Sequence, residues 1–162
     1  MNFFRPLTAL CLGAALQAQS MDAQATGGGA LKIGPTAYTF ELKALYTAAP
    51  KGGLPGAFRI QGRLVPEGPG KPLDLDLTLL KTGAIYGLRI DHKVAGGYPD
   101  SWSATARTRL RPVSLQDAPG GRVEVECLGT LTGVVDRKPR TSAWQGRLWA
   151  QFPGEAVRPP AP

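Results

Sequence analysis

Between Ala37 and Phe152, apolar and polar residues alternate in seven runs, and that alternation constrains the fold more than any other feature. The runs are "AYTFELKALYT", "AFRIQGRLV", "PLDLDLTLL", "AIYGLRIDHKV", "SWSATARTRLRPV", "RVEVECLGTLTGVV" and "SAWQGRLWAQF". A period of two, carried by β-branched and aromatic residues between breaker clusters, is that of strands with one dry and one wet face. The connections, such as "PEGPGK", "KTG" and "SLQDAPGG", are too short for crossover helices, so neighbouring strands are expected to be antiparallel. The predicted fold class is all-β, an antiparallel meander of about seven or eight strands forming a curled barrel. A two-sheet sandwich is the second architecture the pattern admits. Gly62, Gly129, Gly133 and Gly146 interrupt strands, as expected where a sheet bends sharply or backbones approach closely.

One parity of each run supplies the candidate interior. It holds Tyr38, Phe40, Leu42, Phe58, Ile60 and Leu64, then Leu73, Leu75, Leu77 and Leu79. Tyr86, Leu88, Ile90, Trp102, Leu110, Val123, Val125, Leu131, Trp144, Leu148 and Phe152 complete it. The other parity tests register by charge. Pairing Leu80 with Ile85 sets Asp76 opposite Arg89 and Leu77 opposite Leu88, and pairing Val65 with Pro72 sets Arg63 opposite Asp74. Pairing Ser114 with Gly121 sets Arg111 opposite Glu124 and Arg109 opposite Glu126, leaving Arg107 facing Leu128 without a partner. Such pairs contribute roughly 0.2–1 kcal/mol each, so they help to fix register more than they hold the fold. The arginine stripe of Arg107, Arg109 and Arg111 is thereby read as an ion-paired outer face, with an anion-binding patch as the competing reading.

The N-terminal stretch "MNFFRPLTALCLGAALQAQSMDAQA" has an early cation, an apolar run and a small-residue end, the order of a secretory leader. Residues 1–25 are accordingly expected to be a cleaved signal peptide, with cleavage after Ala18 as the alternative to cleavage after Ala25. Residues 26–36 read as a linker, 37–153 as the barrel and 154–162 as a loose Pro-rich tail. The leader's Arg5 and Asp22 cancel, so the mature chain keeps the net charge of +7. It loses Cys11, and the remaining Cys127 has no intramolecular disulfide partner, so stability must come from a core. The expected location is periplasmic or extracellular, with no transmembrane segment after cleavage. The residues do not specify an oligomeric state.

Several functions are poorly served by these residues. The single histidine, His92, adjoins Asp91, but neighbouring strand positions point to opposite faces and do not make a dyad. No G-x-S-x-G elbow is present and no metal-ligand spacing appears, so no catalytic residue, no metal and no cofactor are assigned. Cys127 lies on the inward parity, where a thiol is structural. Specific nucleic-acid binding is not expected, because aromatic-basic interleaving, finger spacing and a basic helix are all missing from the sequence.

The last three runs carry small residues on the inward parity, among them Ala104, Ala106, Thr108, Cys127, Gly129, Gly133, Gly146 and Ala150. Set against large residues on the first four runs, they either interlock with them or line a lumen. The candidate ligand-lining residues are Trp102, Ala104, Ala106, Thr108, Cys127, Gly129, Trp144 and Leu148, with the two tryptophans placed near strand ends.

The ordered series "GAFRIQG", "KPLDLDLTLLKTG", "RIDH", "YPDSWSATA" and "GRVEVECLGTLTGVV" resembles the YceI-like family of exported proteins. The resemblance implies a lipocalin-like barrel holding a polyisoprenoid-type lipid. The chain departs from the family pattern at Asp91-His92, which no leucine follows, and in the shortened stretch before Tyr98-Pro99, where the family carries a helical lid. The expected function is therefore an exported non-catalytic binding protein holding an apolar or amphiphilic, isoprenoid- or lipid-like molecule. The alternative is a structural or assembly module of the cell envelope, binding a protein or anionic partner through its basic outer face or an edge strand.

Overall fold

The computed structural model describes residues 24–53, 55–92 and 100–154. Most of the expected leader and tail, and the stretch containing Tyr98 and Pro99, lie outside the described residues. The described chain forms ten strands: β1 (Thr26–Ile33), β2 (Thr36–Ala48), β3 (Ala57–Pro66), β4 (Leu73–Leu80), β5 (Ile85–Asp91), β6 (Ser101–Ala104), β7 (Arg109–Leu115), β8 (Arg122–Leu128), β9 (Thr130–Val135) and β10 (Lys138–Gln151). They make one antiparallel sheet in the order β1-β2-β3-β4-β5-β6-β9-β10-β8-β7, and β1 also pairs with β10. That last ladder closes eight strands into a ring, with β8 and β7 as two additional strands. The chain is an all-β antiparallel barrel.

Alternation places the core as the sequence requires. In β4, Leu73, Leu75, Leu77 and Leu79 are buried while Asp74, Asp76 and Thr78 point outward. Phe40, Phe58, Ile60, Leu64, Ile90, Val123, Val125, Leu131, Trp144 and Leu148 join them in one buried cluster. Burying each large side chain is worth roughly 1.5–3 kcal/mol. The interior interlocks large against small: a Cβ on Gly62 would lie 2.2 Å from the Phe40 ring. Phe152 packs near one end, with its ring centroid 6.2 Å from that of Phe58.

The strand that closes the barrel is not one of the seven runs. Residues 26–36, expected as a linker, hold β1, whose "TGGGALKI" pairs along its whole length with Trp144–Gln151 of β10. Three consecutive glycines disguise it as a spacer. Two of them serve close approach: a Cβ would lie 2.6 Å from the Trp149 carbonyl oxygen at Gly27 and 2.2 Å from the Arg147 carbonyl oxygen at Gly29, where φ is +151°. Only glycine fits such a position without displacing the neighbouring backbone.

Local irregularities correct several other expectations. The β4–β5 ladder keeps Asp76 opposite Arg89 and Leu77 opposite Leu88, but its register shifts after Thr78, so that Leu79 pairs with Ile85. Tyr86 is the surplus residue and lies 64% exposed instead of inside. Arg63 does stand opposite Asp74. In the β7–β8 hairpin, Gln116 N–H donates to the Arg122 carbonyl, closing a shorter loop than expected, and Val113 is an extra bulged residue. Arg111 therefore faces Glu126 rather than Glu124, and Arg109 faces Leu128 rather than Glu126.

β8 and β9 form one long arm against β10, since Cys127↔Gly146 and Thr130↔Ala143 belong to a single register. On the arm's other side run β6 and β7. Ala104 faces Leu131 and Arg109 faces Leu128, so five steps along the first strand match three along the second. The two surplus residues are absorbed in a turn over Thr105–Thr108. This break is what positions the site.

Candidate functional site: a half-zipped seam in the barrel wall

β5 meets β6 through only three register pairs, Arg89–Asp91 with Ser101–Ser103. Beyond them the Thr105–Thr108 turn ends β6, and β7 continues along β8 instead of along β5. Threonine side chains hold the turn. Thr108 Oγ1 donates to the Thr130 carbonyl at 2.6 Å and accepts from the Thr105 N–H at 2.7 Å, while the Thr108 N–H donates to the Thr105 carbonyl at 3.1 Å. The first half of β5 and the facing edge of β7 consequently share no backbone pairing among the described residues.

The opening is bounded at both ends. At one end the β5–β6 ladder zips it shut. At the other, Gly83 of the β4–β5 turn rests on Pro112 of β7, where an added Cβ would lie 2.4 Å from the proline Cγ. Lys81 pairs with Asp117 across that same end and sits 5.7 Å from the centre of the Phe58 ring. Between the two closures lies a recess of about 410 Å³. Leu88, from the buried core, and Leu110 and Ile85, packed against that core, give it an apolar base. Tyr86, Gly87, Ala104, Ala106, Thr105, Thr108 and Arg109 form much of its wall.

Arg109 is held in place by the turn that precedes its strand. Its Nη1 donates to the Ala106 carbonyl at 2.6 Å and to the Thr108 carbonyl at 3.1 Å. Most outer-face cations described with partners are neutralised by carboxylates. Arg111 pairs with Glu126, Arg122 and Arg147 both pair with Glu124, Arg59 pairs with Asp76, and Arg89 pairs with Asp91. The stripe read from the sequence is thus divided: Arg111 has its carboxylate, whereas Arg109 has two carbonyls and, among the described residues, no acid.

The eight candidate lining residues separate into groups. Ala104, Ala106 and Thr108 line the recess. Trp102, Cys127, Trp144 and Leu148 are buried in the core, and the Trp144 indole N–H donates to the Leu128 carbonyl at 3.0 Å. Trp144 is therefore an interior anchor rather than a rim residue. Gly129 is exposed at the β8–β9 kink, with φ +100° and room for only a hydrogen beside the Arg107 carbonyl. Ala104 and Ala106 are also exposed rather than buried: Ala104 ends β6 beyond its last pair with β5, and Ala106 lies in the turn, where strand parity no longer applies. Sequence reasoning missed Ile85, Gly87, Leu88, Thr105, Arg109 and Leu110 as recess residues. Its one available signal was the Thr105-x-x-Thr108 spacing inside an otherwise regular run, which suits a side-chain-stabilised turn.

Other depressions have a different character. One of about 250 Å³ is lined by Lys43, Gln61, Asp74, Asp76, Arg89 and Asp91, whose charges largely satisfy one another. Asp76 receives Arg59 at 2.5 and 2.9 Å and Gln61 at 2.9 Å; the Arg59 hydrogen bonds hold its carboxyl below the usual range, against the opposing effect of burial. A second, of about 290 Å³, lies on the outer face between Tyr46 and Thr78. His92 Nδ1 lies 3.0 Å from the Pro72 carbonyl, to which it donates, while Asp91 is engaged by Arg89. Burial pushes the Cys127 thiol far above its ordinary range, with the charge of Glu126 adding to the effect. No cluster of three or more metal-ligating side chains occurs among the described residues.

Comparison with protein-family models, curated proteins and solved structures finds no match to this chain.

Proposed function

We propose that this chain is an exported, non-catalytic binding protein that holds an apolar or amphiphilic small molecule at its half-zipped seam. The observation that carries the reading is the recess of about 410 Å³ between β5 and β7, with an apolar base and a polar rim. Its volume falls within the roughly 300–1,000 Å³ typical of small-molecule sites. The interior offers less, since Phe40, Phe58, Trp144 and Leu148 pack there with at most 1% of their surface exposed. Hydrocarbon laid over Leu88 and Leu110 gains about 25 cal/mol per Å² removed from water, before the cost of ordering the ligand. The leader-like N-terminus and the YceI-like resemblance support export and lipid-type cargo, with the site moved from the lumen to the wall.

The test is saturable binding of Nile red, a neutral apolar dye, to the purified mature protein. Gly87→Phe and Ala106→Trp add bulk to the recess, and a Cβ at Gly87 meets nothing within 4 Å. Both variants should keep the wild-type circular dichroism and bind the dye at least about tenfold more weakly, a loss of about 1.4 kcal/mol. Unchanged binding in both variants would overturn the seam as the site.

One observation favours a second reading, a structural module that recruits a protein or anionic partner. Among the described residues, Lys138–Ser142 of β10 pair with β9 on one edge only, because β1 begins its ladder at Trp144, and this edge presents Lys138 and Arg140. That reading predicts a complex that dissociates as salt rises.

A further inference from the structure

We infer that the seam takes a single-chain amphiphile with an oxyanion head group, seated on Arg109; the inference rests on the small-molecule reading above and specifies its ligand. Three observations converge. Arg109 lines the recess whose base is formed by Leu88 and Leu110. Its guanidinium is fixed through Nη1 alone, by the carbonyls of Ala106 and Thr108. Its Nε and Nη2 have no protein partner among the described residues, and no carboxylate there lies within ion-pair distance of it.

A guanidinium presents five donors in a rigid fork that matches a carboxylate or phosphate with two parallel hydrogen bonds. Here the side chain is already held, so little rotational freedom remains to be lost on binding. The neighbouring Arg107 has its N–H on Thr105 Oγ1 at 3.0 Å and no carboxylate partner among the described residues, which raises the local positive potential. An anion at Arg109 thus meets a cation that the fold has positioned without neutralising. The apolar base asks for hydrocarbon attached to that anion.

The shape of the opening argues against an inserted peptide strand. A strand adds along a free edge and leaves at both ends, whereas this seam is closed by the β5–β6 ladder and by Gly83 against Pro112. Proline on β7 further blunts that edge for pairing.

The experiment measures binding of decanoate, decyl phosphate, decanol and inorganic phosphate to the mature protein by calorimetry, in wild type and in Arg109→Gln. Charge-assisted hydrogen bonding predicts that decanoate and decyl phosphate bind wild type at least about tenfold tighter than decanol. Arg109→Gln should remove most of that difference and leave decanol unchanged. Comparing decanoate with decyl phosphate distinguishes the two oxyanion sources. Raising salt on wild type alone should weaken the two anions and not the alcohol, which keeps the test valid if the variant does not fold. Equal affinity for decanoate, decyl phosphate and decanol would overturn the head-group inference while leaving the seam reading intact. Inorganic phosphate binding as tightly as decyl phosphate would overturn the amphiphile. Failure of all four ligands, together with absent Nile red binding, would remove the small-molecule reading itself.

Discussion

Two adjacent glycines of β1 should respond oppositely to the same substitution. At Gly29 an added Cβ would stand 2.2 Å from the Arg147 carbonyl oxygen and 2.8 Å from the Leu148 Cα, and the backbone has φ +151°. The φ alone costs a non-glycine residue about 1–3 kcal/mol. The contact adds displacement of β10, and with it part of a ladder hydrogen bond worth about 1 kcal/mol. Gly29→Ala should therefore destabilise by about 2–4 kcal/mol, lowering Tm by roughly 5–15 °C in a domain of this size. At Gly28 the nearest atoms to an added Cβ, on Phe40 and the Trp149 ring, are 3.8 Å away, an ordinary contact. Gly28→Ala should be neutral or stabilise by up to about 1 kcal/mol, since it restricts the unfolded chain. Urea unfolding followed by tryptophan fluorescence measures both. Equal, small effects within about 0.5 kcal/mol would mean that β1 does not close the barrel and that "TGGGALKI" is a spacer after all.

A double-mutant cycle on Arg111 and Glu126 should give a coupling of about 0.2–1 kcal/mol, and the same cycle on Arg109 and Glu126 should give none; the reverse result would restore the unshifted hairpin. Asp76, held below the usual carboxyl range by Arg59, stabilises the fold above the unfolded-state pKa of about 3.9, and that contribution disappears as pH falls through its lower folded value. Asp76→Asn should thus cost up to about 1 kcal/mol at neutral pH and nothing in strong acid, read as urea midpoints across pH; a deficit that persists at low pH would rule out the ion pair as its cause. Cys127, buried and with its thiol pushed up by burial, should react with an aromatic disulfide reagent only as the barrel unfolds. Labelling at the rate of a free thiol in native buffer would contradict its place in the core.

The regular part of this fold was legible because alternation sets its register. Leu77 against Leu88, Asp76 against Arg89 and Arg63 against Asp74 follow from keeping apolar faces together, and each register pair is found, although the ion pairs themselves join Arg59 to Asp76, Lys43 to Asp74 and Arg89 to Asp91. What could not be read is where the period breaks. A bulge adds one residue without changing composition, so Tyr86 and Val113 look like strand residues and are pushed outward. The Thr105–Thr108 turn hides the same way, and it leaves Ala106 exposed and Thr108 buried along the same seam. β1 failed for the opposite reason: its three glycines carry no pattern, and two of them, Gly27 and Gly29, are required because the neighbouring backbone comes too close for a side chain. The site is legible only in part because it is the absence of a ladder, and pairing that fails between β5 and β7 leaves no residue-level mark.

The most direct test of the seam as the binding site is a map of NMR shift changes on adding decanoate to the purified protein. The account predicts changes concentrated at Gly83–Leu88 and Ala104–Leu110, with Phe40, Val125, Trp144 and Leu148 unmoved. Changes concentrated on Phe40, Trp144 and Leu148, with the β5 and β7 edges silent, would place the ligand in the barrel interior and contradict it.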